Sequence, residues 1–378
     1  MAGVVLVGAP LPGTRVSEFP RRGHCVFGRP KPVVGLDIGS SAVKAIELRP
    51  AGRSYKVVGF GIEPIPADTI VDGAIIDAGA VAEAIRRLLD GHRIKTREVA
   101  ASLSGNSVIV KKINLPVMSE AELAESIYWE AEQYIPFDIQ DVNLDYQILT
   151  PAAAAETRGG MEVLLVAAKK EKINDYTEVV RQAGRVPVVV DVDAFAVQNA
   201  YEANYDPDPS AVVVLLNAGA SGVNINIVSG QQSLFTRDIS MGGNAYTEAV
   251  QKELSLPFES AERVKRGEPS DGVHPDEVRP ILRSVTENLL LEIQKTFDFF
   301  KATAASERID RVLISGGTSR VDGLADALAD RFGTPVEPFD PFRTIQIDAR
   351  KLGIEHLAEV APTSAVAVGL ALRRAGDR

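Results

Sequence analysis

The sequence predicts an α/β protein of two similar lobes with a ligand cleft between them, and three observations predict it. The stretch Gly35 to Leu48, GLDIGSSAVKAIEL, reads as a strand, a tight turn of small residues and a returning strand. Its pattern recurs 180 positions later without a gap, Val33 to Val43 (VVGLDIGSSAV) falling on Val213 to Val223 (VVLLNAGASGV). Around both copies, short apolar strands are interleaved with amphipathic helices, the arrangement of layered α/β domains. Two such hairpins facing each other would enclose a cleft, where ligands tend to bind.

The first hairpin carries the chemistry. Val33, Val34, Leu36 and Ile38 suit a strand buried on both faces, and Asp37 interrupts them. A carboxylate there is costly unless it is paired, for example with a metal ion or its water shell. Gly39, Ser40 and Ser41 form a turn whose backbone N–H groups can approach an anion, the serines adding hydroxyl donors. Lys44 on the returning strand brings a point charge toward the same anion. An ordinary hairpin would have the same turn, and the second copy is what favours phosphate.

Asp37-x-Gly39-Ser40-x-x-x-Lys44 resembles the first phosphate motif of the actin, sugar kinase and Hsp70 superfamily, and Asn217-x-Gly219 resembles the second. The chain is most similar to the PilM family, the actin-like cytoplasmic proteins of the type IV pilus inner-membrane assembly complex. The resemblance implies an actin-like, ribonuclease H-like two-lobed ATPase fold with an inserted interaction subdomain of the FtsA (SHS2) type. It divides the chain into a disordered extension (1–30), a first lobe (31–96 with 186–206 and 340–378), the insertion (97–185), a second lobe (210–250 with 309–339) and a nucleotide-side subdomain (251–308).

Taken in order, Tyr55 to Ile62 predicts a third strand and Asp77 to Leu89 a helix with Ala80, Ala84, Ile85, Leu88 and Leu89 inward. Arg97 to Leu103 and Val108 to Leu115 predict strands joined by Ser104-Gly105-Asn106. Ser119 and Glu122 have capping-box spacing, opening a helix that Pro136 should close. Strands at Asp141 to Leu149 and Met161 to Ala168 and a helix from Lys170 to Gln182 complete a strand-strand-helix-strand-strand-helix unit, with a surface loop through Ala152 to Ala155 and Gly159-Gly160. The segment Glu130 to Tyr146 is the sharpest part of the family likeness; by pattern alone it is an acidic helix end and an amphipathic strand.

Val186 to Val192 is a further buried strand leading to Asp193, where the superfamily carries an acidic residue near the metal and attacking water; Asp is equally a good helix N-cap. In the second lobe the chain departs from the superfamily, with Asn217 for an acidic residue and Val223 for threonine. An amide supplies no charge to hold hydrated Mg²⁺, so nucleotide binding is better supported than hydrolysis. Gly242 and Gly243 resemble the glycine pair of FtsA-like proteins. Glu262 and Lys265 share a helical face, positioned to meet ribose and adenine or else to form a surface ion pair. Ile281 to Ala304 predicts a helix whose stripe Leu282, Val285, Leu289, Ile293, Phe297 and Phe300 is core. Gly316, Gly317 and Thr318, before a helix from Val321, resemble the adenosine motif.

Composition sets the outer bounds. The formal net charge of −10 argues against a nucleic-acid binder while leaving room for a local basic patch, and the single cysteine, Cys25, excludes an internal disulfide. No apolar run is long enough to span a membrane, the N-terminus lacks a signal peptide's basic start, and no amphipathic tail of the FtsA kind closes the chain. By resemblance the cofactors are ATP and Mg²⁺, with Asp37 at the metal and Asp37 and Asp193 as the candidate catalytic carboxylates. The partners would be the N-terminal cytoplasmic peptide of PilN, the pilus motor ATPases and the platform protein, with homo-oligomers allowed. The location would be cytoplasmic, peripheral to the inner membrane. The alternatives are an FtsA-like cell-division filament protein, or a phosphotransferase of the sugar-kinase type.

Overall fold

The structure is a computed structural model, described here for residues 32–150, 159–303 and 308–375. The expected extension at 1–30, Cys25 and the loop at Ala152 to Ala155 lie outside these residues. Strands β1 (Val34–Ile38), β2 (Ala42–Ala51) and β3 (Ser54–Pro64) form a meander, followed by the short pair β4 (Ile70–Val71) and β5 (Ala74–Ile75) and helix α1 (Ala78–Gly91). Next come β6 (Glu98–Leu103), β7 (Val108–Leu115), α2 (Glu120–Glu132), β8 (Val142–Ile148), β9 (Met161–Lys169), α3 (Lys170–Gln182), β10 (Val186–Val192) and α4 (Asp193–Tyr205). The second lobe holds β11 (Val212–Ala218), β12 (Val223–Ser229), β13 (Gln232–Ile239), α5 (Gly243–Leu254), α6 (Phe258–Lys265), α7 (Pro275–Thr303), β14 (Arg311–Ser315), α8 (Leu324–Phe332) and β15 (Val336–Pro338). Helices α9 (Leu357–Val360) and α10 (Ala365–Ala371) follow.

The two large sheets have one topology. Their strand orders are β10-β6-β1-β2-β3 and β15-β14-β11-β12-β13, so the repeat in the sequence is a repeat in the fold. In each, an antiparallel meander is extended by parallel strands, placing both small-residue turns at the same end of their sheets. Helices α4 and α10 pack between the sheets, in a core shared by Ile46 and Ala100 of one lobe and Val213, Leu215 and Leu313 of the other. Their approach is close enough to require glycine: a Cβ on Gly369 would lie 1.7 Å from the Ala196 carbonyl oxygen.

The unit expected from 97 to 185 divides between two sheets. β6 lies inside the first-lobe sheet between β10 and β1, whereas β7, β9 and β8 form a separate three-stranded sheet. One face of that sheet packs on α2 through Ile113, Leu123, Ile127, Ala131, Val163 and Leu165. The other face joins the first-lobe core through Leu164, Val166 and Ala168, alongside α1 and α3. The capping box is present, with Ser119 and Glu122 bonded reciprocally. α2 ends at Glu132, ahead of the expected stop at Pro136. α7 starts at Pro275 rather than Ile281, with Pro280 inside it, because burying Val278 on the same stripe as Leu282 and Val285 extends the helix past a local breaker. Among the described residues, no helix is long and apolar enough to cross a membrane.

Candidate nucleotide site in the interlobe cleft

The β1–β2 hairpin brings its predicted residues together. Asp37 and Lys44 are register partners across the ladder, and the Lys44 ammonium donates to the Asp37 carboxylate at 2.7 Å. A Cβ on Gly39 would lie 3.8 Å from Asp37 Oδ1 and 3.9 Å from Lys44 Nζ, so both charges converge on the turn. The carboxylate that needed a partner finds it seven residues along its own chain. In the second hairpin, the Gly219 N–H donates to the Gly222 carbonyl at 2.8 Å. The two turns meet: the hydroxyls of Ser40 and Ser221 share a hydrogen bond of 2.7 Å. Ser41 stays exposed beside them.

Asn217 is held by its own lobe. Its amide donates to Asn224 at 3.1 Å and its oxygen accepts from Ser315 at 3.3 Å. Asn224 in turn donates to Asp238 at 2.8 Å, and the other Asp238 oxygen accepts from the Gly105 N–H at 2.5 Å. Asp238 was not anticipated from sequence; its one signal is an acidic residue at the apolar end of a strand. Burial pushes its carboxyl up, against the hydrogen bonds from Asn224 and Gly105. The chain Ser315–Asn217–Asn224–Asp238–Gly105 thus ties the second lobe to the loop where the insertion begins.

Asp193 is the first residue of α4, and the N-cap position is held by Val192. It accepts instead from Ser102 Oγ at 2.5 Å. Burial first, and then the nearby Asp37 charge, push its pKa up to about 6 against hydrogen bonds from Ser102 and Ser104. The helix-cap reading therefore fails, and the structure contains a half-buried carboxylate held by Ser102. Asp193 senses the charges of Asp37 and Asp238, yet no group of three or more His, Cys, Asp or Glu among the described residues could itself hold a metal ion.

Behind the second-lobe turn, Gly243 N–H donates to the Gly219 carbonyl at 3.0 Å and Thr318 Oγ1 donates to the same oxygen at 2.7 Å. A Cβ on Gly242 would lie 2.5 Å from that carbonyl, and one on Gly243 would lie 2.6 Å from Thr318 Oγ1. The glycine pair is therefore demanded by the second-lobe turn. Lys265 donates to Thr247 Oγ1 at 2.8 Å and to the Gly243 carbonyl at 3.2 Å, and it pairs with Glu262. Arg266 adds a bond to Glu262 at 3.0 Å. The side chains of Lys265 and Glu262 are only 11% and 17% exposed, so the surface-pair alternative does not hold. Burial works against the Glu262 carboxylate, but Lys265, Thr247 and Arg266 outweigh it and hold its pKa below the ordinary value. Gly316 has φ +87°, and a Cβ there would lie 2.2 Å from the Ala218 carbonyl oxygen, whereas Gly317 faces open space. The helix expected from Val321 is a 3-10 turn over Gly317–Arg320, with α8 beginning only at Leu324. Backbone at Gly317, rather than a helix N-terminus, is what this loop offers a ligand.

The comparisons with known proteins agree with this architecture. The sequence matches the family described as type IV pilus assembly protein PilM over residues 35–375. It is similar to cell division protein FtsA of Bacillus subtilis, 23% identical with 62% of this chain matched, and the match spans 57% of that relative's length. Among solved structures, a PilM-PilN type IV pilus biogenesis complex matches with TM-score 0.81 at 32% identity, covering 91% of this chain and 99% of that one. Ethanolamine utilization protein EutJ of Carboxydothermus hydrogenoformans matches with TM-score 0.54 at 14% identity, covering 91% and 90%, and shows the fold alone. The fold is the actin-like, two-lobed α/β fold.

Proposed function

The chain belongs to the PilM family, and from that premise we propose an ATP-binding scaffold of the type IV pilus assembly complex with slow or absent hydrolysis. The observation that carries the nucleotide part is the convergence of Asp37, Gly39 and Lys44 on one turn, facing Gly219 on its repeat. When bound, Mg·ATP would supply a polyanion and its cation. Ser40 and Ser41 would donate to phosphate oxygens; Gly39 and Gly219, whose N–H groups close their turns on Ala42 and Gly222, would let the phosphates approach the backbone, with Lys44 exchanging its bond to Asp37 for one to phosphate. Asp37 would then orient the water shell of the cation. Gly242 and Gly243 would shape the floor, Glu262 and Lys265 would position ribose, and Gly316, Gly317 and Thr318 would face the base. Asp193 would meet a water near the transferred phosphate, but Asn217 is spent on Asn224 and Ser315 and brings no charge to the metal side. That imbalance favours holding the nucleotide over cleaving it.

The partner part rests on the similarity to a PilM-PilN complex. The proposed docking unit is the sheet β7-β9-β8 with α2, and the proposed occupant is the N-terminal cytoplasmic tail of PilN. Coupling onward to the pilus motor ATPases and platform protein, with the chain cytoplasmic and peripheral to the inner membrane, belongs to the same proposal. Hydrogen exchange of the chain with and without a synthetic PilN tail tests it. Protection is expected across β7, β8, β9 and α2. Protection confined to the second lobe would contradict it.

A further inference from the structure

One end of the first lobe is basic in a chain whose net charge is −10. At the end of the first-lobe sheet opposite the Gly39 turn, the β2–β3 turn carries Arg49, Arg53 and Lys56, and the loop from α1 to β6 carries Arg93, Lys95 and Arg97. All six are exposed, and neither segment, 49–56 or 91–97, contains an acidic residue. The structure holds the two together. Glu47, buried on β2, accepts from Thr96 Oγ1 at 3.0 Å and pairs with Arg49 at 3.5 Å. Ile94 packs where a Cβ on Gly59 would lie 2.8 Å from it.

Two features of this end work against local stability. Arg49 and Lys56 are direct partners across the β2–β3 ladder, where like charges repel. Arg93 sits at φ +55°, a left-handed conformation that a residue with a side chain adopts at a cost. The side chains of Arg53, Lys56, Arg93, Lys95 and Arg97 have no ion pair or hydrogen bond among the described residues. Carboxylates around the rim are engaged elsewhere: Glu47 as above, Asp90 with Arg185 at 3.4 Å, Glu98, half-buried at the root of β6, and Asp348, on the segment bridged to Lys56, with the Lys351 N–H at 3.2 Å. Repelling, strained and unpaired cations on one rim are relieved by an external anion.

We infer that this rim is a docking surface for an anionic lipid bilayer. The cations lie on turns at the end of a sheet, suited to a flat, multiply charged surface, and exposed Val58 next to them offers an apolar contact at headgroup depth. Nucleic acid would call for aromatics free to stack between the cations, and Tyr55, which lies between Arg53 and Lys56, packs against the core instead. Docking there leaves the Gly39 turn, at the opposite end of the first-lobe sheet, open to nucleotide. The inference stands independently of the nucleotide reading.

The test is co-sedimentation of the full chain with vesicles of phosphatidylcholine alone or with about one-third phosphatidylglycerol. Each cation near an anionic surface contributes about fivefold in affinity. Arg53→Glu/Arg93→Glu/Lys95→Glu should therefore lower binding to the anionic vesicles more than tenfold. A variant with the same charge change elsewhere, Lys252→Glu/Lys301→Glu/Arg331→Glu, should retain far more, and thermal melting should show both folded. Binding should vanish at high salt, where the Debye length falls to about 3 Å. Binding independent of phosphatidylglycerol, equal loss in both variants, stronger capture of single-stranded DNA than of vesicles, or salt-sensitive self-association through the rim without lipid would each overturn it.

Discussion

Ser40 Oγ lies 2.7 Å from Ser221 Oγ, so the turns of two hairpins repeated along the chain touch across the cleft. The contact joins residues that are not equivalents in the repeat, since Ser41 rather than Ser40 aligns with Ser221 at the 180-residue offset. A phosphate chain gripped by both turns has to replace this bond with its own.

A double-mutant cycle on Ser40→Ala and Ser221→Ala reads that contact. A part-buried neutral hydrogen bond of this kind contributes about 1 kcal/mol, so chemical denaturation should give a coupling of that order. Zero coupling would show that the turns do not hold each other. With saturating Mg·ATP the coupling should shrink, as each hydroxyl turns to phosphate.

Asp193 makes stability depend on pH in a direction opposite to most carboxylates. Its folded pKa is raised to about 6 from 3.8, so the folded state binds the proton more tightly than the unfolded chain. Its contribution is fully present below about pH 4 and is lost as pH rises through about 6, amounting to roughly 3 kcal/mol across the interval. Asp193→Asn should remove that slope and stabilise the protein at neutral pH. An unchanged slope between pH 4 and 6 would assign the titration elsewhere.

Gly316 and Gly317 should behave differently although they adjoin. Gly316→Ala places a methyl on the Ala218 carbonyl at a left-handed φ and should cost several kcal/mol. Gly317→Ala meets nothing and should leave the melting temperature within a degree or two. If nucleoside lies against this loop, Gly317→Leu should weaken ATP binding in a protein that still melts normally. Equal affinity in that variant would remove Gly317 from the site.

For the Glu262–Lys265 pair, Lys265→Met leaves a mostly buried carboxylate with one fewer cation and should cost roughly 2–4 kcal/mol. Adding Glu262→Gln should recover much of that stability. Nucleotide affinity should not recover with it, because the polar groups proposed for ribose are gone. Recovery of both would make the pair a packing feature.

The parts of the fold carried by local pattern were legible in the sequence. The two hairpins, the Ser119–Glu122 box and the apolar stripe of α7 follow from side-chain periodicity and capping chemistry within a few residues. The pairing of Asp37 with Lys44 was within reach too, since a four-residue turn sets their register. What escaped depends on contacts distant in the chain. β6 was grouped with the insertion because its neighbours β1 and β10 lie far away in sequence. The bond from Gly105 to Asp238 spans 133 residues and has no local signature. Pro280 signals a helix start that the burial of Val278 overrides.

The central claim is that the cleft binds nucleotide without efficient cleavage, and calorimetric titration with Mg·ATP tests it most directly. The parent chain and Asp37→Ala are compared, and phosphate release is followed on the same samples. Binding by the parent, weakened at least tenfold in Asp37→Ala and accompanied by little phosphate release, is the predicted result. No binding by the folded parent would contradict the claim, and rapid phosphate release would show that Asn217 does not prevent hydrolysis.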